Sequence, residues 1–322
     1  MDKKDSGREA SAVGRRKRML IISGGLILLA GGFFGAYVWH WEVRPHVLEA
    51  HVFLADTVIS VFIRTPDNHT ILIDGGKTGG IMRSLTSLMP FYRRAVDTVI
   101  LTKDDDAHAA GLVDVLNRYH VGEVIEMADV ISPENMLKIA STSTAYLEFA
   151  KVIAAKNIPD RKVTDGGTLA LEDGIHGTVS AGILFPPTAP AFKFSKTNLP
   201  QLALRIRYGE TSFVISDLSK TEQKYAVAAA SSALSVLPTA NVLIAQHAGG
   251  TSAMNEDFFS SIRPDYTVIS KKPTVPHASA VSAKKPKKPP FSIFNVTSVH
   301  IVNLATDGNA EFISDGKTIR KE

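Results

Sequence analysis

The sequence predicts an α/β protein: a four-layer α/β/β/α sandwich, with two sheets face to face and helices outside, preceded by one transmembrane helix. Three observations point there. Short apolar runs with strand character recur along the chain, separated by segments with helical periodicity. The order repeats, because each half of residues 48–322 opens on antiparallel strand candidates and continues into β–α–β steps. A charge-free run of 21 residues, Met19 to Trp39, stands ahead of both halves.

Residues 1–18 form a basic N-terminus that closes on Arg15, Arg16, Lys17 and Arg18. The apolar run that follows rises 1.5 Å per residue as a helix, enough to span a hydrocarbon core of about 30 Å. Positive residues on its N-terminal side place residues 1–18 in the cytoplasm, residues 19–41 in the cell membrane as a single pass, and the rest of the chain outside. Trp39 and Trp41, the two tryptophans of the chain, fall at the outer boundary, where amphipathic rings are most stable. A cleavable signal peptide is the alternative; the run is long for one and lacks a small-x-small cleavage site, which favours an anchor. Gly31 and Gly35 make a GxxxG spacing that suits helix pairing, a weak signal in so glycine-rich a span.

After the connector WEVRPHVLEA, the runs HVFLA, VISVFIR and TILIDGG read as three strands, with PDNH supplying turn chemistry between the last two. TGGIMRSLTSLMPFYRR reads as a helix, DTVILT as a buried strand, AAGLVDVLNRYH as a helix and VGEVIEM as a strand. A helical stretch runs from Pro133, well placed in a first turn, to about Lys156. In the second half GTVSAGILF is a strand, and LALRIRYGETSFVISD a hairpin turning at YGE. TEQKYAVAAASSAL, NVLIAQ, NEDFFSSI and YTVIS alternate helix and strand. VHIVNLATDGNAEFIS reads as a closing hairpin around TDGN. The stretch 271–290, rich in Lys, Pro, Ala and Ser, has no apolar period and reads as an exposed loop. It is either a solvated linker or a basic arm whose Lys284, Lys285, Lys287 and Lys288 touch phosphates of nucleic acid or of lipid headgroups.

At 322 residues, 44% hydrophobic and 21% charged, the chain can bury a sizeable core. It contains no cysteine, which excludes disulfides, thiol catalysis and cysteine-bound metal. The net charge of +4 is concentrated in two blocks and says little about partners by itself. There is no GxxxxGK[ST] phosphate loop and no GxSxG elbow.

Polar residues at the C-terminal ends of strands can converge on one cleft. Four strand ends qualify: ILIDGG at Asp74, VILT at Lys103 to His108, FVIS at Asp217 and VLIAQ at His247. Singly each is a turn residue. Together they offer imidazole and carboxylate ligands of the kind zinc or manganese takes. Asp74 alone reads as the cap of the turn into the following helix, with catalysis the minor alternative.

The ordered runs FIRTPDNHTILIDGG, DTVILTKDDDAHAAGL, NLPQLALRIRYGETSFVISD and VLIAQHAGGTSAMNEDFFSSIRPDYTVIS resemble the metallo-β-lactamase superfamily. They are most similar to the C-terminal domain of ComEC-type DNA-uptake proteins, over about Leu48 to the C-terminus. The family's His-x-Asp-x-Asp-His motif reads here Lys103, Asp104, Asp105, Asp106, Ala107, His108, a degenerate form. Its later Gly-Asp reads Ser216 and Asp217, and its His-His-Gly reads His247, Ala248, Gly249. The resemblance implies a metal set of Asp105, His108, Asp217 and His247, with Asp106 and His277 as weaker matches. Four protein ligands suffice for one ion but not for a hydroxide-bridged pair. An active protein would then be a metal-dependent hydrolase, with nucleic acid phosphodiesters as the leading substrate class. Lys103 opens the rival reading. An ammonium among Asp105, Asp106 and Asp217 replaces the metal and leaves a non-catalytic binding or scaffold domain at the cell surface.

Overall fold

The computed structural model describes residues 23–37, 46–127, 143–163, 166–186, 201–232, 237–246, 254–270 and 299–322. The chain divides into two units, Met1–Pro45 and His46–Glu322. In the first, residues 23–37 are helical, and Leu26, Ile27, Leu28, Leu29, Phe33 and Phe34 all lie exposed. Among the described residues no helix is long and apolar enough to cross a membrane; residues 19–22 and 38–41 of the expected span lie outside the described set.

The second unit is built on two sheets. The eight-stranded sheet runs β15-β14-β1-β2-β3-β4-β5-β6. Its strands are β1 (Leu48–Ala55), β2 (Val58–Arg64), β3 (Thr70–Ile73), β4 (Ala95–Ile100), β5 (His120–Met127), β6 (Asp160–Val163), β14 (Ala310–Ser314) and β15 (Ile319–Lys321). The seven-stranded sheet runs β13-β12-β11-β10-β9-β8-β7. It contains β7 (Thr168–Gly174), β8 (Gly177–Phe185), β9 (Ala203–Tyr208), β10 (Thr211–Ser216), β11 (Val242–Ala245), β12 (Tyr266–Ile269) and β13 (His300–Asn303). Side chains from both sheets, among them Val61, Ile73, Ile125, Ile206, Ile215 and Ile244, make one buried core between them. Helices α1 (Gly80–Leu88), α2 (Asp106–Arg118) and α3 (Thr144–Lys156) cover the outer face of the first sheet through Leu85, Leu112 and Phe149. Helices α4 (Lys220–Ser232) and α5 (Glu256–Ile262) cover the second through Ala226, Phe258 and Ile262. The four layers follow from the sequence pattern: β2, β3 and β10 are buried along their whole length, as strands covered on both faces require.

The hairpins at β1–β2, β2–β3 and β9–β10 are antiparallel, and β3, β4, β5 and β6 pair in parallel. Asn68, in the PDNH turn, takes the left-handed conformation that such a turn favours. α3 is described from Thr144; the earlier part of the helical stretch expected from Pro133 lies outside the described residues.

One expectation is corrected. VHIVNLATDGNAEFIS is not a hairpin: β13 pairs in parallel with β12, while β14 pairs antiparallel with β1 in the other sheet. A short helix, α6 (Leu304–Asp307), begins on Asn303, whose side chain accepts from the Ala305 amide at 3.1 Å, and the chain crosses from one sheet to the other there. TDGN has turn chemistry, but the strands on either side have better partners already waiting in different sheets. The edge strands β6 and β7 were not anticipated. DRKV carries three exposed residues out of four and has no apolar run to announce it.

Candidate functional site

β4 delivers its chain to the rim of the sandwich. The strand ends at Ile100, and the next turn is held against the second sheet: the Leu202 amide donates to the Thr102 carbonyl at 2.6 Å, and Lys103 bridges Gln201. Asp105 then caps α2, accepting the His108 amide at 3.0 Å, which satisfies one of the free donors of the first turn. Capping brings the side chain of Asp105 back over the helix start, where His108 Nδ1 meets the same carboxylate at 2.5 Å. Asp217 follows β10 directly and is nearly fully buried.

These side chains close a ring. Lys103 Nζ lies 3.3 Å from Asp217 Oδ2 and 3.5 Å from Asp105 Oδ2. His108 Nε2 lies 3.5 Å from the same Asp217 oxygen, and its Nδ1 holds Asp105 Oδ1. Each carboxylate therefore faces both nitrogen groups. Behind the ring sits Asp74, at zero exposure, with Oδ1 accepting from the Thr102 amide at 2.9 Å and Oδ2 from the Thr102 hydroxyl at 2.7 Å. Asp74 thus ties the end of β3 to the end of β4. It does not cap the following helix, which starts at Gly80 with no side-chain cap.

Burial pushes the Asp74 carboxyl up to about 6; His108 and the Thr102 bonds oppose the push, and the charge of Asp217 adds to it. For His108, burial pulls the imidazole down, but Asp74, Asp105 and Asp217 together outweigh it and raise its pKa. Lys103 behaves likewise: burial lowers it, and Asp217 and Asp105 hold it above the ordinary lysine value. Burial would raise Asp105, yet its bond to His108 and the charges of His108 and Lys103 bring it below the usual carboxylate range. The arrangement is that of a fixed ion network, with both cations favoured in their charged forms.

As they are placed, the described residues do not fit a metal ion. Among the described residues no three His, Asp or Glu side chains are grouped to hold one. The ammonium of Lys103 lies between Asp105 and Asp217, and a divalent ion would have to displace it. Asp106, the weaker candidate, is engaged elsewhere: its Oδ1 accepts from the Ser143 hydroxyl at 2.8 Å and the Ala145 amide at 2.9 Å, at the start of α3. One residue along a helix turns a side chain by about 100°, so Asp105 points to the ring and Asp106 away from it. His247, His277, Lys284, Lys285, Lys287 and Lys288 lie outside the described residues. Gln246, next to His247, donates its amide to the Ser216 carbonyl at 3.2 Å, which sets the ends of β10 and β11 side by side. Its side chain also spans the two sheets, with Oε1 accepting from the Ile59 amide at 2.6 Å and Nε2 donating to the Ile59 carbonyl at 3.2 Å. Neither Thr102 nor Gln246 stood out in the sequence, since each acts on a partner far away along the chain.

No protein-family model matches the chain, and no curated protein matches it. Solved structures do. The chain is similar to the metallo-β-lactamase fold protein YhfI from Bacillus subtilis, at 12% identity and a TM-score of 0.46, covering 80% of this chain and 97% of that one. Tm1679, a metal-dependent hydrolase of the β-lactamase superfamily, matches at 12% identity and a TM-score of 0.44, over 82% of this chain and 98% of that one. A diphosphatase from the PhnP family matches at 12% identity and a TM-score of 0.44, over 83% and 98%. The activities in these names belong to those proteins.

Proposed function

We propose that the chain is a divergent metallo-β-lactamase-type domain, similar to the terminal domain of ComEC-type proteins, anchored in the cell membrane by residues 19–41. On this reading it works outside the membrane as a metal-free binding or scaffold domain. One observation carries it: Lys103 Nζ stands within 3.5 Å of both Asp105 and Asp217, supplying the positive charge the carboxylates need. The anchor is supported by the helix over residues 23–37, whose large apolar side chains face outward and need an apolar surrounding. The lysine-rich stretch 271–290 suits a polyanion, either nucleic acid or anionic headgroups, as the ligand.

A second reading, metal-dependent hydrolysis of nucleic acid phosphodiesters with zinc or manganese, is favoured by a single feature. His108 Nε2 is fully buried, has no hydrogen-bond partner, and lies 3.5 Å from Asp217 Oδ2. For that chemistry Lys103 must swing out and His247 must complete the set.

The two readings separate in one experiment. Full-length protein is purified in detergent without chelator, its zinc and manganese contents are measured before and after incubation with each ion, and turnover is assayed on bis(p-nitrophenyl) phosphate. The metal-free reading expects substoichiometric metal throughout and no turnover. Stoichiometric uptake, with turnover lost in His108→Ala and Asp217→Ala, overturns it.

A further inference from the structure

The ion ring occupies one end of the sandwich. The other end, where the chain enters β1, has a different surface. Leu48 pairs with Ser314 at that end, and β3 and β4 run in parallel from it, so Thr70 and Ala95 start there as well. Phe91 and Tyr92, in the turn leading to β4, are 71% and 41% exposed, and Ile175, at the tip of the β7–β8 hairpin, is 95% exposed. Among the described residues of this unit, Leu147 and Ile301 are the other large apolar side chains that stand out.

The two apolar tips belong to one contiguous surface. Arg93 Nη2 donates to the Asn68 carbonyl at 2.6 Å; the neighbouring Asp67 accepts from the His176 amide at 3.1 Å; and Ile175 precedes His176. The entering residue His46 stacks on His176 at 3.3 Å between ring centroids. The Phe91 side of this surface is basic. Its groove is lined by Arg93, Arg94 and Arg118 with Met82 and Met89. Arg93 is paired with Asp97 at 3.3 Å, whereas Arg94 and Arg118, both exposed, have no ion-pair partner among the described residues. Asp173 and Glu210 also face out at this end, nearer the Ile175 tip; Asp173 accepts from the Thr178 hydroxyl at 2.8 Å.

We infer that this end of the sandwich is a membrane-contact face, which lays Phe91, Tyr92 and Ile175 into the headgroup region of the bilayer with Arg94 and Arg118 on lipid phosphates. Exposed aromatic and aliphatic tips beside unpaired arginines suit an anionic lipid interface, where rings settle at headgroup depth and guanidinium groups pair with phosphate. The inference rests on the reading that residues 19–41 span the membrane. Six residues separate Trp41 from Leu48, and the seven Cα steps between them, even fully extended, reach at most about 25 Å. The chain enters on the face that carries the apolar tips.

The absence of cysteine makes the test direct. Full-length Phe91→Cys, Ile175→Cys and Lys220→Cys, each carrying one environment-sensitive fluorophore, are reconstituted in phosphatidylcholine vesicles with and without phosphatidylglycerol. Lys220 is exposed and starts α4 at the ring end, so it reports the opposite pole. Labels at 91 and 175 should shift to the blue, be quenched by a lipid-borne quencher and be protected from an aqueous one. The label at 220 should stay open to the aqueous quencher, and Arg94→Ser with Arg118→Ser should remove the phosphatidylglycerol dependence at 91. If the chain resists an alkaline wash yet labels at 91 and 175 are as wet as the one at 220, the contact face is wrong and the anchor stands. A chain that washes off removes both. Protection at 91 by a single-stranded oligonucleotide, with none from lipid, overturns the inference in favour of a nucleic-acid surface.

Discussion

Replacing Lys103 by methionine keeps the length of the side chain and removes its charge, which tests whether the ammonium holds the ring together. At 3.3 and 3.5 Å from Asp217 and Asp105, each attraction is about 5 kcal/mol at an effective dielectric near 20. Much of that is offset by the cost of taking the three groups out of water. The Lys103 side chain is 21% exposed and Asp105 23%, while Asp217 is 3% exposed. The pair therefore falls between an exposed one, worth about 0–1 kcal/mol, and a buried one, where removing a partner costs about 3–5 kcal/mol. A loss of about 2–3 kcal/mol is expected at neutral pH. Denaturant unfolding of the His46–Glu322 unit, in buffer with EDTA, measures it. The pH dependence has a fixed sign. Asp105 is lowered in the folded state, so its share is present above the unfolded value of about 4 and is lost as pH falls through the folded one. Lys103 is raised, so its share is lost only above about pH 10.5. The gap between native and variant should be flat across neutral pH and close in acid. A gap below about 0.5 kcal/mol at pH 7, or one that widens as pH falls, refutes the reasoning.

Lys103→His should place an imidazole beside Asp105 and Asp217: zinc is expected to stabilise this variant by about 2.7 kcal/mol at a hundredfold excess over Kd, raising its melting temperature, and to leave the native protein unmoved. Asp74→Asn should stabilise the unit at neutral pH, because a carboxyl raised from 3.8 to about 6 loses about 3 kcal/mol as pH rises between those values; the gain should vanish below pH 4, and a gain that persists there contradicts burial as the cause. Gly111→Ala should cost at least about 2 kcal/mol, since its Cβ would lie 1.9 Å from the Gly75 carbonyl oxygen; chemical denaturation reads it. Asp106→Ala should cost about 1 kcal/mol through loss of its bonds to the start of α3 and should not alter zinc binding by Lys103→His, which a titration of the double variant checks.

The layers were legible because burial is written into composition. VISVFI, TILI and TSFVIS are unbroken apolar or small-residue runs, and each lies in a strand covered on both faces. The grouping of Lys103, Asp105, His108 and Asp217 was legible too, from residue type at strand ends that a β–α–β order brings to one rim. Other features were hidden for physical reasons. The role of Asp74 depends on Thr102, just past the end of the neighbouring strand β4, and no local pattern signals a bond between two strand ends. The choice between Asp105 and Asp106 turns on helix phase, set by where α2 begins, and a run of three aspartates leaves that start ambiguous. The closing segment misled because turn chemistry is local while strand pairing is not: Asn303, a cap residue, starts a helical turn just where a hairpin would need to fold back.

Charge balance decides what the ring can be. Three carboxylates, Asp74, Asp105 and Asp217, face two nitrogen groups, Lys103 and His108. A divalent ion would bring two positive charges to one point and take a neutral imidazole as ligand. A lysine brings a single charge, so the rest must come from protons. They have two places to go. His108 has its pKa raised by the three carboxylates, and Asp74, raised to about 6, takes up a proton before an ordinary carboxylate would. The cohesion of the ring is thereby linked to pH, where that of a metal centre would be linked to the concentration of free ion. A chelator should leave the native fold untouched, and mild acid should alter the ring first, through Asp74 and His108, before the salt bridges of Lys103 give way.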